Sequence, residues 1–130
     1  MAEYQDPIKE ARRYLQNAKD ILKEKTSIKD GFYLDGKYVK MAGDIAWKGC
    51  LLALDSVFKV KASKGESRVS IKNYKEAVGK RDRKLSDLVN DGYNILHLSM
   101  GYDGTKAKNI TKTGFELATS IIDRCETMRP

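Results

Sequence analysis

The stretch KYVKMAGDIAWKGCLLALDSVFKV, residues 37–60, decides the fold. At about 100° per residue, Lys37, Lys40, Asp44, Lys48, Asp55 and Lys59 fall within an arc of about 100°. Val39, Met41, Ala42, Ile45, Ala46, Trp47, Cys50, Leu51, Leu52, Ala53, Leu54, Val57 and Phe58 share the remaining circumference, roughly 260°. An apolar face that wide needs neighbours on several sides. The stretch therefore reads as the central helix of a bundle, and the rest of the chain as what wraps around it.

Upstream, Asp6-Pro7 is a strong helix start, because Asp caps free amides and Pro suits the first helical position. Ile8, Ala11, Leu15, Ala18 and Leu22 then recur at steps of three and four, which predicts a helix to about Thr26. Ser27 to Gly36 holds two Asp-Gly pairs, Asp30-Gly31 and Asp35-Gly36, and delivers Phe32, Tyr33 and Tyr38 near the start of the central helix. Asp-Gly also signals hairpin turns, but the flanks do not alternate strictly, so the segment reads as a structured loop.

Downstream, the central helix is expected to end near Ala62, where Ser63-Lys64-Gly65-Glu66-Ser67 breaks the pattern. Ser70 caps a short helix through Val78 that Gly79 ends. A further helix runs from about Lys80 to Met100 on Leu85, Leu88, Val89, Gly92, Leu96 and Met100. Gly101-Tyr102-Asp103-Gly104 is a turn. A last helix carries Ala107, Ile110, Gly114, Leu117, Ala118, Ile121, Ile122, Cys125 and Met128. Long helices joined by short polar loops predict an all-α, antiparallel up-and-down bundle of four long helices plus one short crossover helix.

The 130 residues suit one helical-bundle domain over 1–130, and 41% hydrophobic with 33% charged residues is a globular composition. The central helix carries Asp44, Lys48 and Asp55 along its length, which argues against a membrane span. Met1 to Asp6 has no basic stretch followed by an apolar run, so no signal peptide is expected and the cytoplasm is the default location. Cys50 and Cys125 lie far apart on apolar stripes without metal-ligand spacing, so both are expected as buried free thiols.

Charge is concentrated. Lys59, Lys61, Lys64, Arg68, Lys72, Lys75, Lys80, Arg81, Arg83 and Lys84 face only Glu66, Glu76 and Asp82, so the segment 59–84 alone accounts for the formal charge of +7. Lys72, Lys75, Lys80, Arg81, Arg83 and Lys84 are therefore candidates for a polyanion site, with nucleic acid as a partner. A Lys-rich connector that serves solubility is the competing reading, favoured here because Tyr74 is the one aromatic in the segment available to stack on a base.

Two further constellations carry chemistry. His97, one turn after Tyr93 at the edge of an apolar stripe, is a weak catalytic candidate and fits a structural role better. Tyr33, Asp35, Tyr38 and Trp47, with Tyr102, Asp103 and Lys106, converge on one end of an antiparallel bundle. Those aromatic, acidic and lysine side chains form a candidate pocket for a nucleotide or small polar ligand, against a competing role in locking loops onto the bundle. No metal site or cofactor motif is found: there is no Walker loop, GxGxxG, GxSxG or metalloprotease helix.

Arg13-Tyr14-Leu15-x-x-Ala18-Lys19-Asp20-Ile21-Leu22, Asp35-Gly36-Lys37-Tyr38-Val39 and Ala46-Trp47-Lys48-Gly49-Cys50-Leu51-Leu52-Ala53-Leu54-Asp55 together resemble the HEPN superfamily of helical bundles, in particular an uncharacterised bacterial branch. The resemblance covers most of the chain. It implies a four- or five-helix bundle, often dimeric, found as RNase toxins or as nucleotide-binding partners of nucleotidyltransferases. Catalytic members carry an Arg and, after four to six intervening residues, a His. The matching positions before His97 are Gly92, Asp91 and Asn90, so the motif is broken and the resemblance points to a non-catalytic relative.

The leading expectation is a non-enzymatic cytoplasmic binding protein whose partner is a protein, a second copy of itself or a nucleic acid. The alternative is a divergent HEPN-type RNA- or nucleotide-processing enzyme that uses His97 with a lysine or aspartate.

Overall fold

The computed structural model describes residues 6–129, so Met1 to Gln5, on which the absence of a signal peptide was mostly read, lie outside the described residues. Asp6 opens α1 (Pro7–Lys25): its Oδ1 accepts from the amides of Ile8 and Lys9, both at 3.1 Å. Ile8, Ala11, Leu15, Ala18 and Leu22 are its buried stripe, at the predicted spacing.

The segment expected as a loop contains a β-hairpin. Strand β1 (Ile28–Lys29) pairs antiparallel with β2 (Phe32–Tyr33), and Asp30 and Gly31 make the turn with φ of 53° and 84°. Two successive left-handed residues are what a tight hairpin turn demands, and Asp-Gly supplies them at low steric cost. Strands of two residues are too short to show an alternating pattern. The far side of β2 is closed by backbone: the Tyr33 amide donates to the Lys106 carbonyl at 2.9 Å, and the Lys108 amide to the Gly31 carbonyl at 2.9 Å.

Asp35 caps α2 (Gly36–Phe58) by accepting from the Lys37 amide at 2.9 Å. All six charged residues of the predicted stripe are exposed, while Val39, Ala42, Ala46, Trp47, Cys50, Ala53 and Leu54 are buried. Met41, read as part of the apolar face, is exposed instead. The helix stops at Phe58, short of Ala62, because Lys59 turns left-handed (φ 50°) and its amide closes onto the Asp55 carbonyl.

A capping box between Ser70 and Asn73 starts α3 (Ile71–Gly79). The next helix does not begin at Lys80. The Arg81 and Asp82 amides fold back onto the Val78 carbonyl, and the Asp82 side chain then caps α4 (Arg83–Gly92) through the Leu85 amide at 3.0 Å. Beyond Gly92 the same helix widens into a π-helical segment, Tyr93–Tyr102, as in the bond from the Asp103 amide to the Leu98 carbonyl. Helix α5 (Lys108–Met128) completes the chain.

Contacts fix the antiparallel order. A Cβ built on Gly49 would lie 2.9 Å from the Ala11 carbonyl oxygen. One on Gly92 would meet the Trp47 ring at 3.4 Å, and one on Gly43 would meet the Leu96 carbonyl at 2.6 Å, so numbers rise along α4 as they fall along α2. Arg12 of α1 pairs with Asp123 and Glu126 near the end of α5, at 2.9 and 2.7 Å. Helix α2 touches α1, α5 and the π-helical segment, as its wide apolar face requires. The result is an all-α bundle with one minimal hairpin. Cys50 and Cys125 are free and buried in it, and burial pushes the Cys125 thiol up to about 12.

Candidate functional site

The turns carrying Tyr33, Asp35, Tyr38, Tyr102, Asp103 and Lys106 do meet. A Cβ on Gly36 would lie 3.0 Å from the Gly104 carbonyl, and one on Gly104 the same distance from the Gly36 carbonyl. Backbone groups and the Asp35 carboxylate hold these turns together. The Tyr33 amide is bonded to Lys106, Asp35 caps α2, and the Asp103 amide closes a π-helical turn. The Lys37 ammonium sits 4.8 Å over the half-buried Tyr38 ring. Tyr102 stands 76% exposed. Of the six, Tyr33 borders a groove with Lys19, Thr26 and Phe115, and partial burial raises its phenol above the ordinary value. The backbone of the two turns forms a clasp across the bundle end.

Lys72, Lys75, Lys80, Arg81, Arg83 and Lys84 are all exposed on α3, on the first turn of α4 and on the corner between them. Among the described residues none of the six makes an ion pair. Lys75 Nζ donates to Asn90 Oδ1 at 3.0 Å, and the Arg81 guanidinium lies 5.0 Å over the Phe58 ring. The nearest acid in sequence, Asp82, is committed elsewhere: Arg124 Nε donates to its Oδ2 at 2.7 Å. That hydrogen bond first, and the Leu85 amide second, hold the Asp82 carboxyl below the usual range. The positive charge of the corner is left to solvent.

Packing also builds a cleft of about 450 Å³ where α2, the π-helical segment and the start of α3 meet. Trp47 and Tyr74 form its floor, 6% and 7% exposed. Tyr93 and His97, on successive turns, stand side by side with ring centroids 5.1 Å apart and planes 32° from parallel. Trp47 meets Tyr93 edge-on at 5.9 Å. Arg68 and Ser70 are at the rim. The Tyr74 hydroxyl donates to both Asp55 carboxylate oxygens, at 2.9 and 3.1 Å, tying α3 to α2. Partial burial raises the Asp55 carboxyl and the Tyr74 hydrogen bond opposes it. His97 Nδ1 is buried and has no hydrogen-bond partner among the described residues.

The sequence pairs Tyr93 with His97 by spacing, but nothing in it joins them to Trp47, Tyr74 and Arg68. Three separate elements supply those side chains, and bundle packing alone brings them together. Among the described residues, no group of three His, Cys, Asp or Glu side chains stands together as a metal site, and no helix is long and apolar enough to cross a membrane.

No curated protein matches the chain. A solved structure described as a protein of unknown function from Dyadobacter fermentans is 42% identical, with a TM-score of 0.82 and 95% of each chain covered. The profile of a family described as Domain of unknown function (DUF5618) matches residues 6–127. With the match spanning nearly every residue from the cap of α1 to the end of α5, the chain belongs to the DUF5618 family.

Proposed function

We propose that this chain is a non-enzymatic, HEPN-like binding protein of the cytoplasm, and that its ligand is a single-stranded nucleic acid held on the basic face of α3, α4 and their corner. The observation that carries this reading is the run of six exposed cations on α3 and the corner after it, unpaired among the described residues, together with an aromatic-lined cleft at the start of the same helix. Sequence weighed against nucleic acid because Tyr74 stood alone. Support comes from Tyr93 and His97, which line one cleft above Trp47 and Tyr74, since single-strand binders combine a basic track with several stacking rings. Positions 90–92 hold no arginine, and His97 Nδ1 has no orienting partner among the described residues, so general acid–base chemistry lacks its usual geometry.

Fluorescence anisotropy of a labelled oligouridine against salt tests the proposal. Log affinity should fall linearly with log salt, by roughly 0.7 per phosphate contacted. Changing Lys72, Lys80, Arg83 and Lys84 together to glutamine should flatten the line with little effect on stability, because exposed charges contribute little to folding. Arg81 is spared because it packs on Phe58. No binding at low salt, or a slope that the four substitutions leave unchanged, overturns the reading.

A second reading, self-association, rests on Ile28, Phe32 and Leu34, which are 47%, 55% and 58% exposed around the hairpin. Light scattering of wild type and Phe32→Lys decides it. A dimer that the substitution dissolves would support association through this end.

A further inference from the structure

We infer that the cleft between α2, the π-helical segment and α3 is a base subsite, which takes one nucleobase of the bound strand while Arg68 pairs with the adjoining phosphate. The inference rests on the nucleic-acid reading above and assigns to it the part that electrostatics alone leaves out. Tyr93 and His97 line the cleft side by side with their rings tilted 32° to one another, and Trp47 and Tyr74 close the space beneath them. A volume of about 450 Å³ lies within the range of small-ligand sites and suits a flat heterocycle with its sugar.

The polar groups fit the same occupant. Arg68 is exposed at the rim, without an ion pair among the described residues, and a guanidinium matches a phosphate with two parallel hydrogen bonds. Arg68 and Ser70 at the rim lead into α3, whose Lys72 is the first of the exposed cations, so the strand of this proposal runs along α3 from the corner to the cleft at its other end.

Trp47 is the single tryptophan of the chain, so its fluorescence reads this cleft directly. Wild-type protein is titrated with an oligouridine, with an abasic sugar-phosphate strand of equal length, and with uridine monophosphate. The oligouridine should alter Trp47 emission and bind roughly ten- to a hundredfold more tightly than the abasic strand, the range of one stacked base. Tyr93→Leu should bring oligouridine affinity down toward that of the abasic strand. Arg68→Gln, at an exposed position that leaves the core intact, should lower the salt slope by about 0.7. Uridine monophosphate should give the same emission change at far lower affinity.

If both strands bind equally and Trp47 does not respond, the base subsite is overturned while the electrostatic reading stands. Should neither strand bind at low salt, the nucleic-acid reading fails and this inference with it. If uridine monophosphate binds as tightly as the strand, the cleft belongs to a free nucleotide, which overturns the assignment to a strand.

Discussion

One carboxylate, that of Asp82, serves two helices: Oδ1 caps α4 and Oδ2 holds Arg124 of α5. The Arg124 hydrogen bond is the larger cause of its lowered pKa, and the ordinary value is 3.8. A carboxyl depressed in the folded state contributes stability that is whole above the unfolded value and is lost as pH falls through the folded one. Asp82→Asn keeps the cap, since Asn caps as well as Asp, and removes the charge. Its deficit against wild type in urea denaturation should therefore be present at neutral pH and shrink in acid below about pH 3.8. Asp82→Ala also loses the cap and should cost about 1 kcal/mol more. A deficit for Asp82→Asn that ignores pH would show that the ion pair is not its source. At Trp47 the sequence was sufficient: neighbours with no polar face to join predicted burial, and the ring is 6% exposed against Tyr93, His97 and the Gly92 backbone. Trp47→Ala should cost roughly 3 to 5 kcal/mol in the same assay.

The long helices were legible because each buries a stripe that repeats at three and four residues, and that signal survives any detail of hydrogen bonding. What was missed is local. The β1–β2 hairpin has no alternation to read, and the start of α4 depends on one cap residue inside a run of cations. The π-helical segment differs from an α-helix in which carbonyl each amide meets, a choice that side-chain pattern does not encode. Its packing is nevertheless testable at Gly43, where α2 crosses it. A Cβ there would sit 2.6 Å from both the Leu96 carbonyl oxygen and Met100 Cβ, so backbone must move. Helix propensity favours Ala over Gly by about 1 kcal/mol, whereas overpacking costs about 1 to 3 kcal/mol. Gly43→Ala should therefore lower the denaturation midpoint. Gly79→Ala, which adds a Cβ at an ordinary 3.5 Å from Ser86, should leave the midpoint unchanged or raise it. Equal behaviour of the two would mean that the crossing is looser than the distances say.

At the scale of the molecule, the basic face could be read in advance because its charges are adjacent in sequence. The aromatic cleft could not, since its rings come from α2, α3 and the π-helical segment and meet only after packing. The same packing makes a prediction about unfolding. Helix α2 lies against α1, α5 and the π-helical segment, Arg12 and Arg129 tie the outer helices together, and the hairpin is bonded to Lys106 and Lys108. Helix α3 is the loosest member: it reaches the core through Tyr74 and Val78 and is bonded to α2 through Asp55. Loss of helical circular dichroism and the shift of Trp47 emission should coincide in urea, as a single cooperative unit requires. Tyr74→Phe removes the hydroxyl tie and should speed amide exchange in residues 71–79 ahead of α2, because the segment with fewest core anchors opens first. If helical signal is lost well before Trp47 responds in the wild type, α3 forms a separate unit, and the cleft that it closes over Trp47 opens without unfolding the bundle.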